Sequence, residues 1–441
     1  MSFLTKECVA RWYPLKPHEK QQALIDSTTR FNVVACGRRS GKSEIAKRFI
    51  AKKMMENPNA KYFIGGPTRE QLRSVWWEDM QRLTMAKIFG ERAINNSRLT
   101  ITLPNGAMLA LVSLSKPERI EGTDWWGGVV DECADIPEHA WDAHIFPALG
   151  TYNPTRPDYR AWCWLVGTPD GLNHFYDRAM EAQQPENTDW SFHTWKSAEI
   201  MPPEEVEKYK KIYSPMQFRQ EFEAAFEDAG GKLYYDYGKD NWTTETIQPN
   251  EQLLWFHDFN FTPLSSGIGV IRGSDNLMIL DEIVLESAVA RQSAEEFVER
   301  FTEHKNRTIL LYGDPAGRAG EKHGHQSDYT EMERVLRNNG WEVIRQVKAK
   351  APAIIDRQNA VRAKICNASG ARSLFVNPEK AKYCDKGLAT VQTKEGSTFL
   401  EKDSDYQHIT TAIGYCVDYI WPTRTDRKTH NANPEPTLNY Y

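Results

Sequence analysis

Residues 33–43 read VVACGRRSGKS, and the rest of the chain is arranged around them. Phe31, Val33 and Val34 predict a short buried strand. A tight loop of Gly and Arg follows, then Lys42 and Ser43, then EIAKRFIAKKMM, whose amphipathic spacing predicts a helix. Strand, glycine loop and helix in that order let backbone N–H groups and the positive end of the helix dipole converge on one anion, as a phosphate-binding loop requires. On this reading Gly37, Arg38, Arg39, Ser40 and Gly41 wrap the phosphates of ATP, Lys42 reaches the β and γ phosphates, and the Ser43 hydroxyl helps hold Mg2+. The match to G-x-x-x-x-G-K-[ST] is near rather than strict, because Cys36 stands where the first glycine belongs and Gly37 comes just after it. An ordinary basic loop can carry the same letters, so the weight comes from what surrounds them.

With 441 residues the chain is too long for one ordinary core, and two domains are expected. Hydrophobic residues make up 40% and charged residues 26%, the balance of a water-soluble globular protein. No window approaches the roughly 18 apolar residues of a membrane span, and MSFLTKECVARWYP has no signal-peptide core, so a cytoplasmic protein is expected. The 7 cysteines are scattered with no C-x-x-C pair, which argues against a disulfide framework and a zinc site. Fifty-five basic against 60 acidic side chains leave a net charge of −5, so any contact with nucleic acid must come from local basic patches.

Around the loop, the first half reads as alternating strands and helices. A short polar helix ahead of it carries Gln21, whose amide can both donate to and accept from an adenine edge, although an exposed helix glutamine is the plainer reading. AKYFIGGPT predicts a second strand, and REQLRSVWWEDMQRL a helix with Leu72, Val75, Trp76 and Met80 on one side. RLTITLPNGAMLALVSL predicts a hairpin around Asn105-Gly106, a pair that supplies the positive φ angles of a two-residue turn. GGVVDECADI is an apolar strand ending in two acids. There Asp131 is placed for the Mg2+ water shell and Glu132 to polarise the water that attacks the γ phosphate. AWCWLVGTPDG ends at Thr168, a residue able to sense the γ phosphate or simply to begin a turn. This pattern predicts a doubly wound α/β ATPase domain over residues 1–228, closed by a charged helical stretch, MPPEEVEKYKKIYSPMQFRQEFEAAFED.

Residues 229–250 read as an interdomain linker, 251–421 as a second domain and 422–441 as a flexible tail. LLWFHDFNF, SSGIGVIRG and NLMILDEIVLE predict three adjacent strands; helices then alternate with TILLYGDPAG, WEVIRQV and SLFVNP. Acids on the first and fourth of these strands, Asp258 and Asp314, give the order of an RNase H-like nuclease. Such domains gather carboxylates around two metal ions, and hard oxygen ligands suit Mg2+ or Mn2+. A third ligand is expected from EKDSDYQHITTAIGYCVDYI, where Asp405 lies within one turn of His408 and Asp403 just precedes it. Between Val343 and Lys382 the basic residues Arg345, Lys348, Lys350, Arg357, Arg362, Lys364, Arg372, Lys380 and Lys382 face only Asp356 and Glu379. That run predicts a basic band for DNA phosphates, or a solvated helix face.

Taken together, KPHEKQ, CGRRSGKS, YFIGGPTREQ, VVDE, GTPDGLNHFY and FRQEFEAAFED in the first half, with DFNFTP, GDPAG and DYQHITTAIGY in the second, closely resemble a large terminase subunit. These proteins are the DNA-packaging motor and nuclease of tailed bacteriophages. The resemblance implies a P-loop NTPase domain followed by an RNase H-like nuclease domain. It gives Gln21 contact with adenine, residues 38–43 the phosphates, Asp131 the Mg2+, Glu132 the role of catalytic base, Thr168 a coupling role, and Asp258 and Asp314 the nuclease metals. It also implies double-stranded viral DNA, a small terminase subunit and a portal protein as partners, a homo-oligomeric ring during packaging, and work in the host cytoplasm. One departure concerns the last helix, which in the family commonly reads H-x-x-D-A and here reads His408-Ile-Thr-Thr411-Ala412. Thr411 cannot stand in for a carboxylate, which leaves Asp405 or Asp403 as third acid. Arg38, Arg39 and Arg119 are the candidates for an arginine acting in trans. Two other classes fit parts of the pattern: a helicase or repair ATPase whose second domain only binds nucleic acid, and a nucleotide-switched assembly protein in which Glu132 is idle.

Overall fold

The computed structural model describes residues 17–150, 159–228, 230–259, 263–318, 327–394 and 399–423. The described chain divides into two compact units. The first runs to Val206 and includes Arg219–Glu227; the second combines Glu207–Phe218 with the residues from Asp228 onward. Among the described residues no helix is long and apolar enough to cross a membrane. The tail expected from residue 422 lies almost wholly outside the described residues.

In the first unit the strands are β1 (Phe31–Ala35), β2 (Lys61–Gly66), β3 (Ile94–Asn95), β4 (Thr100–Thr102), β5 (Met108–Ser113), β6 (Gly127–Val130), β7 (Trp162–Gly167) and β8 (Trp190–His193). They form one sheet in the order β3-β4-β5-β2-β6-β7-β1-β8. From β5 to β8 every neighbouring pair is parallel, and only the β3–β4 and β4–β5 pairs run antiparallel. Alternate residues of the same strands enter two separate cores. Val34, Tyr62, Ile64, Val129 and Trp164 pack on one face, Phe31, Val33, Phe63, Val130 and Leu165 on the other. Burial on both faces is what a parallel sheet covered by helices on each side demands. Each such large apolar side chain contributes about 1.5–3 kcal/mol.

Local deviations have local causes. The β4–β5 hairpin closes with three residues rather than two: Gly106 N–H donates to Leu103 O at 2.9 Å and Leu103 N–H to Ala107 O at 2.8 Å. Pro104 suits the first position of a type I turn, so only Gly106, at φ 82°, enters the left-handed region. In the Arg69–Leu83 helical stretch a π turn over Arg73–Trp77 widens the spiral. Leu72, Trp76 and Met80 are buried while Val75, expected on the same side, is 43% exposed. The charged stretch expected as one helix is two, Pro203–Ile212 and Pro215–Glu223, because the residue before Pro215 is steered away from helical geometry.

The second unit is built on β9 (Leu253–Asp258), β10 (Leu264–Arg272), β11 (Asn276–Leu285), β12 (Thr308–Gly313), β13 (Glu342–Arg345) and β14 (Leu374–Val376). Their order is β13-β12-β9-β10-β11-β14. The first three form an antiparallel meander, and β12 then joins β9 in parallel. Leu254, Phe256 and Tyr312 pack against the helices Ile354–Ile365 and Gln407–Ile420, whereas Leu253, Trp255, Ile309 and Leu311 pack against Ala290–Arg300 and Asp328–Asn338. Two expectations change here. The stretch expected as a linker buries Leu233, Tyr234 and Tyr237 in the second core, since a run of tyrosines is too apolar to stay solvated. Residues 207–218, expected with the first domain, join the second unit through Ser214 Oγ and Tyr235 Oη at 2.7 Å and Ala368 N–H on Tyr213 O at 2.7 Å.

Candidate functional site

Among the described residues two clusters of candidate functional side chains stand out, one in each unit. In the first, β1 delivers the chain to the loop 36–41, and Gly41, at φ 81° and ψ 6°, caps the helix Lys42–Glu56 without a side-chain cap. The amides of its first turn therefore lack intrahelical acceptors and point toward the loop. Arg39 is also left-handed, at φ 57°. Gly37 must be glycine: a Cβ there would lie 2.4 Å from Ser197 Oγ and 2.6 Å from Phe222 O. Cys36, by contrast, is fully buried, and burial pushes its thiol up to about 12, so it serves as a small core residue.

Four side chains meet beyond the loop. Lys42 Nζ donates to Thr168 Oγ1 at 2.9 Å, and Ser43 Oγ to Asp131 Oδ1 at 3.4 Å. The other carboxylate oxygen of Asp131 accepts from Trp76 Nε1 at 2.7 Å. Burial raises Asp131 from 3.8 to about 6, the Glu132 charge adds to the rise, and the Trp76 hydrogen bond and Lys42 and Lys47 oppose it. A buried carboxylate facing a hydroxyl, with so little stabilisation of its charge, is suited to a cation. The hard oxygen pair Ser43 and Asp131 fits Mg2+. Glu132 follows directly, held at φ 49°, a conformation uncommon outside glycine and concentrated at functional sites. Its charge raises both Asp131 and Glu221. Glu221 in turn binds the Arg38 guanidinium through two hydrogen bonds, at 2.7 and 3.2 Å, so Arg38 is engaged within its own chain. Gln21 Nε2 donates to Ser40 O at 2.9 Å and does not extend into open space.

In the second unit β9 and β12 run side by side with Gly313 level with His257. Asp314, whose N–H donates to His257 O at 3.3 Å, is therefore level with Asp258, on the same sheet face. Tyr415, from the helix Gln407–Ile420, hydrogen-bonds Asp314, and its hydroxyl is pushed up to about 12 by burial and by the charges of Asp314 and Asp258. His408, the second residue of that helix, meets Asp258 Oδ2 at 2.9 Å, and that hydrogen bond raises its pKa. Glu401 is the further carboxylate of this cluster. Asp258 and His408 both act on its charge, burial raises its pKa, and Gln358 Nε2 donates to it at 2.8 Å.

The structure does not bring Asp405 into this group. Its side chain is exposed, and its carbonyl accepts from Tyr383 Oη at 2.6 Å. The helix begins only at Gln407, so Asp405 sits in the preceding turn, facing Tyr383, while His408 turns toward Asp258. Asp403 is exposed as well. Thr411 is occupied by Arg357, which donates to its Oγ1 at 3.3 Å and lies 4.7 Å over the Tyr415 ring. Among the described residues no three His, Cys, Asp or Glu side chains converge as a ready metal cage. Asp258 and Asp314 supply the oxygen donors that fit a divalent ion.

The expected basic band is largely internal. Arg345 pairs with Glu333, Lys348 with Asp418 and Lys364 with Asp275, while Arg362 and Arg372 donate to the carbonyls of Leu233 and Asp236. Lys350, Lys380 and Lys382 are exposed. Sequence reasoning missed Trp195, Glu221, Glu401 and Tyr415 and read Trp76 only as an apolar helix residue and Arg357 only as part of the basic band, because their partners lie tens to hundreds of residues away and nothing local marks them.

Residues 34–236 match the family model described as terminase large subunit, T4likevirus-type, N-terminal. The chain is 26% identical over 243 residues to the terminase large subunit of Thermus virus P23-45, covering 48% of this chain and 49% of that protein. It is 26% identical over 216 residues to that of Escherichia phage T5, covering 48% and 47%. The chain thus spans about half the length of the curated relatives it matches. A solved large terminase from a thermophilic bacteriophage superposes with a TM-score of 0.58 at 16% identity, covering 91% of this chain and 98% of that one, a likeness of fold through both units. By these matches the chain is similar to the large terminase subunits of phages, in sequence over roughly its first half and in fold through both units.

Proposed function

We propose that the chain is a viral DNA-packaging motor subunit: its first unit, a P-loop NTPase domain, hydrolyses ATP to drive double-stranded DNA into a procapsid, and its second, an RNase H-like domain, cuts concatemeric DNA with two-metal endonuclease chemistry. The observation that carries the reading is the convergence of Lys42, Ser43, Asp131 and Thr168 beside the loop that leads into the Lys42–Glu56 helix. The strand order β11-β10-β9-β12-β13, with Asp258 and Asp314 level on its central pair, supports the nuclease half.

In this mechanism the amides at the end of the loop and at the start of the helix, with Lys42, bind and orient the phosphates, and Ser43 and Asp131 would hold Mg2+, which when bound supplies charge neutralisation at the phosphoryl oxygens. Glu132 orients the attacking water and accepts its proton at its carboxylate, and Thr168, already on Lys42, senses the γ position. In the second unit Asp258 and Asp314 would hold Mg2+ or Mn2+, which when bound supply an activated water and a stabilised leaving oxygen. His408 orients Asp258, and Tyr415 orients Asp314. The resemblance adds a small terminase subunit, a portal and a ring of copies as partners, and the host cytoplasm as the site of action.

The test uses three full-length variants. Glu132→Gln removes ATP hydrolysis by at least about 100-fold while nucleotide still binds; retained turnover removes the ATPase assignment. Asp258→Ala and Asp314→Ala abolish Mn2+-dependent plasmid cutting at an unchanged ATPase rate, and undiminished cutting removes the nuclease assignment.

A further inference from the structure

The phosphate loop is gripped from outside by its carbonyls. Ser197 Oγ donates to Arg38 O at 2.6 Å; Gln21 Nε2 and Trp195 Nε1 both donate to Ser40 O, at 2.9 and 2.8 Å. Trp195 also accepts the Gly37 N–H on its own carbonyl at 3.1 Å, so one residue holds the entry and the exit of the loop. In a trans peptide the C=O and the following N–H point to opposite sides. Holding the carbonyls of residues 38 and 40 outward therefore turns the amides of Arg39 and Gly41 the other way. The left-handed turns at those residues, φ 57° and 81°, make that side concave, the arrangement that binds anions.

We propose that Gln21 and Trp195 are positioning residues for this anion site. They fix the Ser40–Gly41 peptide so that its amide faces the phosphates, and Gln21 acts on the loop rather than on the base. Gln21 is 8% exposed, and a Cβ on Gly41 would lie 3.1 Å from its Nε2, so the amide group of Gln21 rests against the loop. Trp195 is 1% exposed, held where its indole can reach only inward. The site so described selects a polyphosphate, with base identity left to other contacts. The proposal deepens the ATP-binding reading and rests on it.

The experiment titrates ATP, GTP and inorganic tripolyphosphate, each with Mg2+, into the full chain by calorimetry, for wild type, Gln21→Leu and Trp195→Phe. Both substitutions keep most of the side-chain volume and remove the donor. The expected result is that each weakens all three ligands by the same factor, about three- to ten-fold, with the thermal midpoint unchanged. A loss confined to ATP in Gln21→Leu overturns the proposal in favour of base reading, and unchanged binding in Trp195→Phe reduces Trp195 to packing. Should Trp195→Phe melt early, Gln21→Leu decides alone by the same comparison of ligands. Failure of the wild type to bind any of the three overturns the phosphate-loop reading itself, a result distinct from the others.

Discussion

Asp131→Asn separates what the carboxylate does for the fold from what it does for the ligand. Asp131 is 5% exposed, and its pKa stands at about 6 against an ordinary 3.8. The folded protein therefore holds a proton more tightly than the unfolded chain. The sign follows: this group favours the fold fully below pH 3.8 and loses that contribution as pH rises through about 6. A difference of about two pH units corresponds to about 3 kcal/mol once both states are ionised. The asparagine keeps the volume, and its oxygen can still accept from Trp76. In urea unfolding of the full chain without nucleotide, the variant should match wild type near about pH 4 and be more stable by on the order of 2–3 kcal/mol near about pH 8. With Mg2+ and ATP the variant's advantage should shrink, because wild type, which keeps the carboxylate for Mg2+, gains the larger ligand stabilisation. A variant no more stable than wild type at the higher pH, or an advantage that does not change with pH, refutes the reasoning.

Three further outcomes concern the second unit. Asp405→Asn should leave Mn2+-dependent cutting unchanged, whereas Glu401→Gln, removing the charge that Asp258 and His408 experience, should lower it by about 10- to 100-fold in a plasmid assay. The raised pKa of His408 means that its ion pair with Asp258 is complete below the ordinary 6.5 and lost as pH rises through the raised value. Mn2+ binding measured by calorimetry should strengthen across that window, and His408→Gln should flatten the dependence. Gly414→Ala places a Cβ 2.4 Å from Arg357 Cγ, so it should displace the guanidinium and lower stability by about 1–3 kcal/mol, read from thermal melts.

What was legible in the sequence is what the chain settles locally. The loop before Lys42 and the β4–β5 hairpin follow from glycine, proline and the apolar period, and the order of strands around Asp258 and Asp314 follows from alternation. The hairpin differed in loop length because Pro104 restricts its own φ. The exposure of Asp405 has a related reason: it lies in the turn before the Gln407–Ile420 helix, and spacing alone does not mark that boundary. The internal pairing of the basic run was hidden because Glu333, Asp418 and Asp275 come from three separate elements. Gln21 is read from the letters as an adenine contact or an exposed helix residue; it is 8% exposed, and its hydrogen bond to Ser40 depends on a tertiary approach across 19 residues.

The level pairing of β9 with β12 means that the interval between the two aspartates is set by the main-chain ladder, not by the packing of their neighbours. Trimming an apolar side chain on either side of the sheet can loosen the unit and still leave both acids abreast. Sliding one strand past the other by a single residue would turn one of them to the opposite side. Tolerance to mutation in the surrounding core and intolerance to any insertion within Leu253–Asp258 or Thr308–Gly313 are two expressions of the same hydrogen-bond ladder.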